Sequence, residues 1–140
     1  MTNLPIEFHS VNDFILSDPN KVKSWLSKVV AEEQKKVEHL LYIFCDDKYL
    51  HKLNVEFLNH DTYTDVITFD ESLGDQLSGE IFISIDRVKE NAISFEVGFE
   101  EELHRVLVHG LLHLCGYNDK TEEETIEMRK KENYYLSLRA

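Results

Sequence analysis

The apolar positions of the chain fall alternately into strand-like runs and helix-like spacings, and this pattern predicts an α+β fold. Residues 4–11 alternate loosely between apolar and polar side chains, which is typical of a short strand. Residues 40–45 form a continuous apolar run, which is typical of a central strand buried on both faces. Two further strands are predicted over residues 66–69 and 81–85, with a loop over residues 70–78 between them. The chain therefore predicts a small mixed β-sheet of about four strands.

Helical spacing of apolar side chains, together with local end signals, predicts about five helices that pack the sheet. Asp18 followed by Pro19 is typical of a helix start, and Asp86 is a candidate N-cap for a later helix. Thr121 and Glu124 have the spacing of a capping box, which would open the last helix. The predicted helices span residues 19–36, 47–58, 87–96, 99–115 and 122–138.

Length and composition predict a single domain over residues 1–140. The chain has 42% hydrophobic and 30% charged residues, which fits a folded globular protein rather than a disordered one. Its first residues lack the pattern of a signal peptide, and no apolar run is long enough to span a membrane. Two cysteines do not form a disulfide framework. We therefore expect a cytoplasmic protein with no membrane partner.

Two histidines near the end of the fourth predicted helix are candidate metal ligands. His109 and His113 are four residues apart, so both imidazoles project from one helix face. Gly116 then supplies a residue that readily ends a helix, and Asp119 follows as a candidate third ligand. Three protein ligands with an open fourth position are typical of a catalytic zinc site. The spacing matches a zincin-like motif, except that Gly110 replaces the glutamate base and Asp119 the third histidine.

Other interpretations of these residues remain open. Asp119 is an alternative cap for the helix near Thr121, and residues 122–124 supply alternative carboxylate ligands. Cys115 is another candidate ligand, although a thiol in such a segment is more often a small buried hydrophobe. Gly110 cannot take a proton from water, so the motif argues against a peptidase.

The segment HGLLHLCGYND at residues 109–119 resembles the H-G-x-L-H-L-x-G-Y-D-H signature of the YbeY family, which comprises bacterial endoribonucleases of ribosomal RNA maturation. The stretch Leu53-Asn54 and the segments TDVITF at 64–69 and GEIFIS at 79–84 are similar to further family motifs. The resemblance implies a zinc-dependent, single-strand-specific endoribonuclease that holds one Zn²⁺ and uses zinc-activated water as nucleophile. It also implies action on the 16S 3′ end and in ribosome quality control. The implied partners are ribosomal RNA or a ribosomal particle, with ribosomal proteins as further candidates.

The chain departs from the family pattern at two positions. Where the family has Asp-His, this chain has Asn118-Asp119, so the third ligand would be a carboxylate. A carboxylate leaves the metal less positive and suits harder ions such as manganese. The family's arginine after the Leu-Asn pair aligns with Leu58. Arg105, one turn before His109, could contact a phosphate in its place or simply pair with Glu101.

The general base is left open by the sequence. By family likeness alone, Asp65 and Asn54 are candidates for positions near the metal.

Net charge complicates an RNA substrate. The chain carries −12 overall, and the half with the histidines is the acidic one: residues 1–60 have 7 basic and 9 acidic side chains, whereas residues 61–140 have 8 and 18. An RNA would have to contact lysines of the first half or be presented by a basic partner. Two other classes therefore stay open: a metal-dependent hydrolase of another phosphoester, and a non-catalytic ribosome-maturation factor with a structural metal.

Overall fold

A computed structural model of the chain describes residues 5–60 and 62–139 and has four strands and five helices. The strands are β1 (Ile6–Ser10), β2 (Lys36–Cys45), β3 (Val66–Asp70) and β4 (Gln76–Ser84). The helices are α1 (Pro19–Glu32), α2 (Asp47–Leu58), α3 (Ile85–Ser94), α4 (Phe99–Leu114) and α5 (Glu122–Ser137). These elements confirm the predicted α+β class.

The strands form one mixed sheet in the order β1-β2-β4-β3. β1 pairs with β2 and β2 pairs with β4 in parallel, whereas β3 and β4 are antiparallel neighbours. The apolar run of β2 lies in the sheet interior, where Tyr42 is opposite Ile81 of β4. β1 confirms the first predicted strand, although Leu4, at the start of the predicted span, lies outside the described residues.

Both central strands are longer than predicted. β2 begins at Lys36 and β4 at Gln76, and their first halves are polar or mixed in sequence. These halves still pair with each other, from Lys36 opposite Gln76 onwards, but mostly on a less buried part of the sheet. The apolar run therefore marked only the buried part of β2, and the ladder continues beyond it because paired backbone groups need no apolar side chains.

The first helix differs from the prediction in where it ends and in how its start is capped. α1 ends at Glu32 rather than at residue 36, because Gln34 adopts a left-handed conformation (φ 59°) and Lys36 already belongs to β2. At the other end, Pro19 is at the predicted first position, but the Asp18 side chain makes no capping hydrogen bond.

The cap of α3 was also assigned to the wrong residue. Ser84, not Asp86, is the N-cap: its hydroxyl oxygen accepts a hydrogen bond from the Arg87 backbone N–H (3.2 Å). Asp86 lies in the first turn, and its carboxylate accepts from the Asp47 backbone N–H (3.0 Å) at the start of α2. The helix thus begins directly at the end of β4.

The fourth helix is the most buried and lies against the sheet. Its apolar side includes Leu107 and Leu111, both fully buried, and the Tyr42 hydroxyl donates to the Leu107 carbonyl (2.9 Å). A Cβ at Gly110 would lie 2.8 Å from Cγ2 of Ile81, so only glycine permits this approach of α4 to β4. Close packing fixes α4, and with it the histidines on its last turns. Among the described residues, no helix is both long and apolar enough to cross a bilayer.

Candidate metal centre

The three predicted ligands lie together at the end of α4. The Nε2 atoms of His109 and His113 are 3.1 Å apart, and Oδ2 of Asp119 lies 3.3 Å from the first and 3.4 Å from the second. In a tetrahedral site with Zn–N and Zn–O bonds of about 2.0–2.2 Å, neighbouring ligand atoms are about 3.3 Å apart. The spacing of these three atoms therefore fits one metal ion.

Hydrogen bonds fix which nitrogen of each imidazole faces the centre. His113 Nδ1 lies 3.0 Å from the Tyr117 carbonyl oxygen, which can only accept, so Nδ1 carries the proton. His109 Nδ1 donates in the same way to Oε2 of Glu132 (2.6 Å). In the neutral rings, both Nε2 lone pairs then point toward Asp119. Such carboxylate and carbonyl acceptors behind a histidine are characteristic of metal sites.

Glu132 connects α5 to the histidine helix. Its side chain is only 6% exposed, and Oε1 accepts a hydrogen bond from Nη1 of Arg105 (2.9 Å). Arg105 also donates through Nη2 to Asn133 (2.9 Å). The alternative in which Arg105 pairs with Glu101 is wrong, because Arg105 faces α5 and Glu101 pairs with Arg139 instead.

The hydrogen-bonded residues His109 and Glu132 both have shifted pKa values. Burial opposes a charged His109, but the hydrogen bond and charge of Glu132 outweigh burial and raise the pKa of His109. Burial likewise disfavours ionised Glu132, but the hydrogen bonds from His109 and Arg105 lower the pKa of that carboxyl overall. A metal ion bound by Nε2 of His109 would therefore compete with a proton for this nitrogen.

The loop after α4 delivers Asp119. Gly116 has φ 109°, which permits the reversal, and the Tyr117 backbone N–H returns to the Leu112 carbonyl (3.1 Å). The Thr125 hydroxyl in the first turn of α5 donates to the Asp119 carbonyl (3.1 Å) and shares that proton with Thr121 (2.9 Å). The loop that carries Asp119 is therefore bonded to α4 on its N-terminal side and to α5 on its C-terminal side.

The structure decides between the interpretations of this loop. Thr121 is the N-cap of α5, and it forms the predicted capping box with Glu124. The cap is thus not Asp119, whose carboxylate faces the histidines. Cys115 is not part of the three-residue cluster, and burial raises its pKa to about 12, which disfavours the thiolate that zinc requires.

A cavity of about 290 Å³ opens beside the cluster. Its described walls carry four carboxylates and two arginines: Asp65, Glu102, Asp119, Glu132, Arg105 and Arg129. Burial raises the pKa of Asp65, although His109 opposes this, and the Asn91 side-chain amide donates to the Asp65 carboxylate (3.2 Å). A larger cavity, of about 620 Å³, lies between α1 and the start of α4, and none of the three predicted ligands lines it.

The other two positions singled out by family likeness lie elsewhere. Asn54 is not among the described residues that line the smaller cavity; it is buried, and its amide donates to the Thr62 carbonyl (2.8 Å). This hydrogen bond connects α2 to Thr62 in the loop that follows it. Leu58 is exposed at the end of α2 and offers no hydrogen-bond donor from its side chain.

Glu132 was missed by the reasoning from sequence, although the sequence carried a signal for it. The buried positions of α5 are Met128, Glu132, Tyr135 and Leu136, which have helical spacing. A glutamate in an apolar stripe requires a buried partner, because an unpaired charge there is costly. That partner, His109, lies 23 residues away, so local spacing could not identify it.

Comparisons with known proteins show what the chain as a whole is similar to. The family described as Endoribonuclease YbeY matches residues 8–139. The protein named Endoribonuclease YbeY from Christiangramia forsetii is 52% identical over 133 residues, which cover 95% of this chain and 93% of that protein. Its namesake from Flavobacterium johnsoniae is 50% identical over 133 residues, with 95% and 96% covered. The solution structure of TM1509 from Thermotoga maritima matches with a TM-score of 0.67 and 30% identity, over 94% of this chain and 87% of that one.

Proposed function

This chain belongs to the YbeY endoribonuclease family, and from that membership we propose that it is a metal-dependent, single-strand-specific endoribonuclease. The observation that carries the proposal is the convergence of His109, His113 and Asp119 at ligand spacing, with both imidazoles oriented by acceptors behind them. Gly110 supports a nuclease over a peptidase, since it has no side chain to act as base and Ile81 fills the adjacent space.

We propose that the metal is one Zn²⁺ ion held by Nε2 of His109, Nε2 of His113 and a carboxylate oxygen of Asp119. A zinc ion held there would supply a Lewis acid, which can polarise a phosphoryl oxygen and lower the pKa of water toward ~7. Glu132 orients His109, and Arg105 holds Glu132 in place. We propose Asp65 as the proton acceptor, since it lines the same cavity and its charge interacts with that of His109; Glu102 also lines the cavity but has no such interaction with His109 among the causes that shift its pKa.

The biological setting follows from the family resemblance of residues 109–119. We propose that the substrate is ribosomal RNA, with the 16S 3′ end as target, and that the protein acts in the cytoplasm in ribosome maturation and quality control. The net charge of −12 supports an RNA presented within a ribosomal particle, where ribosomal proteins can supply the positive surface that this chain lacks.

The test is cleavage of a structured ribosomal fragment with a single-stranded tail, using metal-stripped protein with and without zinc. We expect cleavage in the tail only after zinc is restored, because the ligand cluster alone supplies no electrophile. Zinc-loaded, folded protein that leaves both the free fragment and ribosomal particles intact would contradict the proposal.

A different phosphoester is the second candidate substrate, and the acidic wall of the small cavity favours it. Asp65 and Glu102 line this cavity, and neither has an ion pair among the described residues. Negative walls disfavour a polyanion more than a small substrate. Zinc-dependent hydrolysis of bis(p-nitrophenyl) phosphate without any RNA cleavage would support this candidate.

Asp119 is expected to reduce the preference for zinc over manganese. A carboxylate is a harder ligand than imidazole, so the wild-type site should discriminate less between the two ions than an Asp119→His variant. Competitive titration of the metal-stripped proteins with both ions measures this directly. Equal zinc preference in wild type and variant would show that the third ligand does not set selectivity.

A further inference from the structure

We propose that Arg129 and Phe95 form a nucleotide subsite beside the metal centre, in which Arg129 contacts a backbone phosphate and Phe95 stacks on an unpaired base. Both residues line the cavity that contains His109 and Asp119. The proposal rests on the proposed endoribonuclease function, and it specifies how a single strand is held there.

Arg129 is the cation of this cavity with unused hydrogen-bond donors. Arg105 donates hydrogen bonds through Nη1 to Glu132 and through Nη2 to Asn133. Arg129 forms an ion pair with Glu132 at 3.8 Å, a separation that is too long for a hydrogen bond, and its side chain is 55% exposed. No side-chain hydrogen bond of Arg129 occurs within the described part of the chain. Its planar fork of donors therefore remains available for the oxygens of a phosphate.

Phe95 is an exposed aromatic residue that lines the same cavity. It follows the last residue of α3, where its backbone N–H donates to the Asn91 carbonyl (2.9 Å), and it is 57% exposed. None of the aromatic ring pairs formed by described residues includes Phe95. By contrast Phe57, which is 63% exposed, packs its ring against Phe69. An exposed aromatic ring at the edge of a cavity, outside the ring pairs of the described residues, is a suitable platform for a nucleobase, and stacking tolerates any base.

Arg129 would compensate for one departure from the family pattern, the missing arginine at Leu58. Leu58 removes a guanidinium from the α2 side, and Arg129 offers one from α5. A base can reach Phe95 only when it leaves its helical stack, so the pair would favour single strands over duplexes. The acidic cavity would then contact one nucleotide closely rather than a long stretch of backbone.

The test uses zinc-loaded protein and a fluorescent single-stranded 2′-O-methyl RNA heptamer, beside the same heptamer with abasic sugars. We expect Phe95→Ala to weaken binding of the normal heptamer about tenfold and to leave the abasic one within about twofold. Arg129→Ala should weaken both, and lower the slope of log affinity against log salt by about 0.7, the value for one phosphate contact. Ile93→Ala is the matched control for Phe95→Ala, and Lys130→Ala is the matched control for Arg129→Ala. Both control residues are exposed, are close in sequence to the residue they match, and do not line the cavity.

The possible results distinguish failure of the nucleotide subsite from failure of the proposed nuclease function. RNA cleavage and heptamer binding that are unchanged in Phe95→Ala and Arg129→Ala would overturn the subsite and leave the nuclease standing. An increase in KM for RNA in Phe95→Ala, with kcat within twofold of wild type, would support the subsite. If zinc-loaded wild-type protein binds neither heptamer, the subsite is overturned, whereas the nuclease is judged by cleavage on the ribosomal particle. Unchanged thermal unfolding of each variant excludes misfolding as the cause.

Discussion

Replacing His113 with alanine is expected to lower the affinity for zinc by more than about 100-fold and to abolish metal-dependent RNA cleavage. Loss of an acceptor behind a ligand already costs roughly 10–100-fold in affinity, and here a ligand itself is removed. The two remaining ligand atoms, on His109 and Asp119, lie 3.3 Å apart and cannot enclose an ion alone. Competition against a chromophoric chelator measures the affinity, and the tailed ribosomal fragment reports cleavage.

The control for this variant is His9→Ala, since His9 is an exposed histidine on β1. His113→Asn is a second variant that keeps a donor near the Tyr117 carbonyl and so separates loss of the ligand from loss of the loop contact. A His113→Ala protein that still binds zinc tightly and cleaves RNA would refute the assignment of this ligand. A His109→Ala protein that keeps its biological role would instead favour the non-catalytic maturation factor.

The second large effect is expected at Glu132. Glu132→Ala removes the acceptor behind His109, which should weaken zinc binding roughly 10–100-fold. It also leaves the guanidinium of Arg105, which is 19% exposed, without its charged partner and with only the hydrogen bond to Asn133, and breaking such a buried pair costs about 3–5 kcal/mol. We therefore expect a fall in the free energy of unfolding together with weaker metal binding. Chemical denaturation and chelator competition measure the two quantities separately.

Two further variants help to interpret the Glu132→Ala result: Glu132→Gln separates the charge from the hydrogen bond, and Glu127→Ala is the control. Glutamine keeps an oxygen that can accept from Nδ1 of His109 but loses the charge, so its metal affinity should lie between those of wild type and Glu132→Ala. Glu127 is an exposed residue of the same helix, and its replacement should change stability by no more than about 0.5 kcal/mol. Equal stability of Glu132→Ala and Glu127→Ala would mean that Glu132 is not the centre of a buried charge network.

The parts of this protein that the sequence predicted correctly depend on local spacing. A four-residue interval places His109 and His113 on one helix face, and a three-residue interval gives the capping box of Thr121 and Glu124. The same holds for the class of the fold, because each strand and helix carries its own periodicity. The family resemblance, confirmed by the comparisons, likewise came from contiguous motifs.

The parts that the sequence did not predict depend on contacts between distant elements. Arg105 pairs with Glu132, 27 residues away, although Glu101 had the helical spacing for a pair. The cap of α3 was assigned to Asp86 because both Ser84 and Asp86 can cap, and only the end point of β4 decides between them. The lengths of β2 and β4 were underestimated because their first halves are polar or mixed in sequence and carry no continuous apolar run, although Leu77 of β4 is buried.

Glu33, just beyond α1, has a consequence for the order in which the molecule is assembled. It accepts hydrogen bonds from the hydroxyl groups of Tyr117 and Tyr135, which are 84 and 102 residues further along the chain. The Tyr117 carbonyl in turn orients His113, and the helix of Tyr135 carries Glu132 to His109. Contacts over such separations close late, because the entropy of long loops opposes them. A partly folded chain of full length therefore contains the three predicted ligands before they converge, and we expect metal binding to appear only when folding is complete.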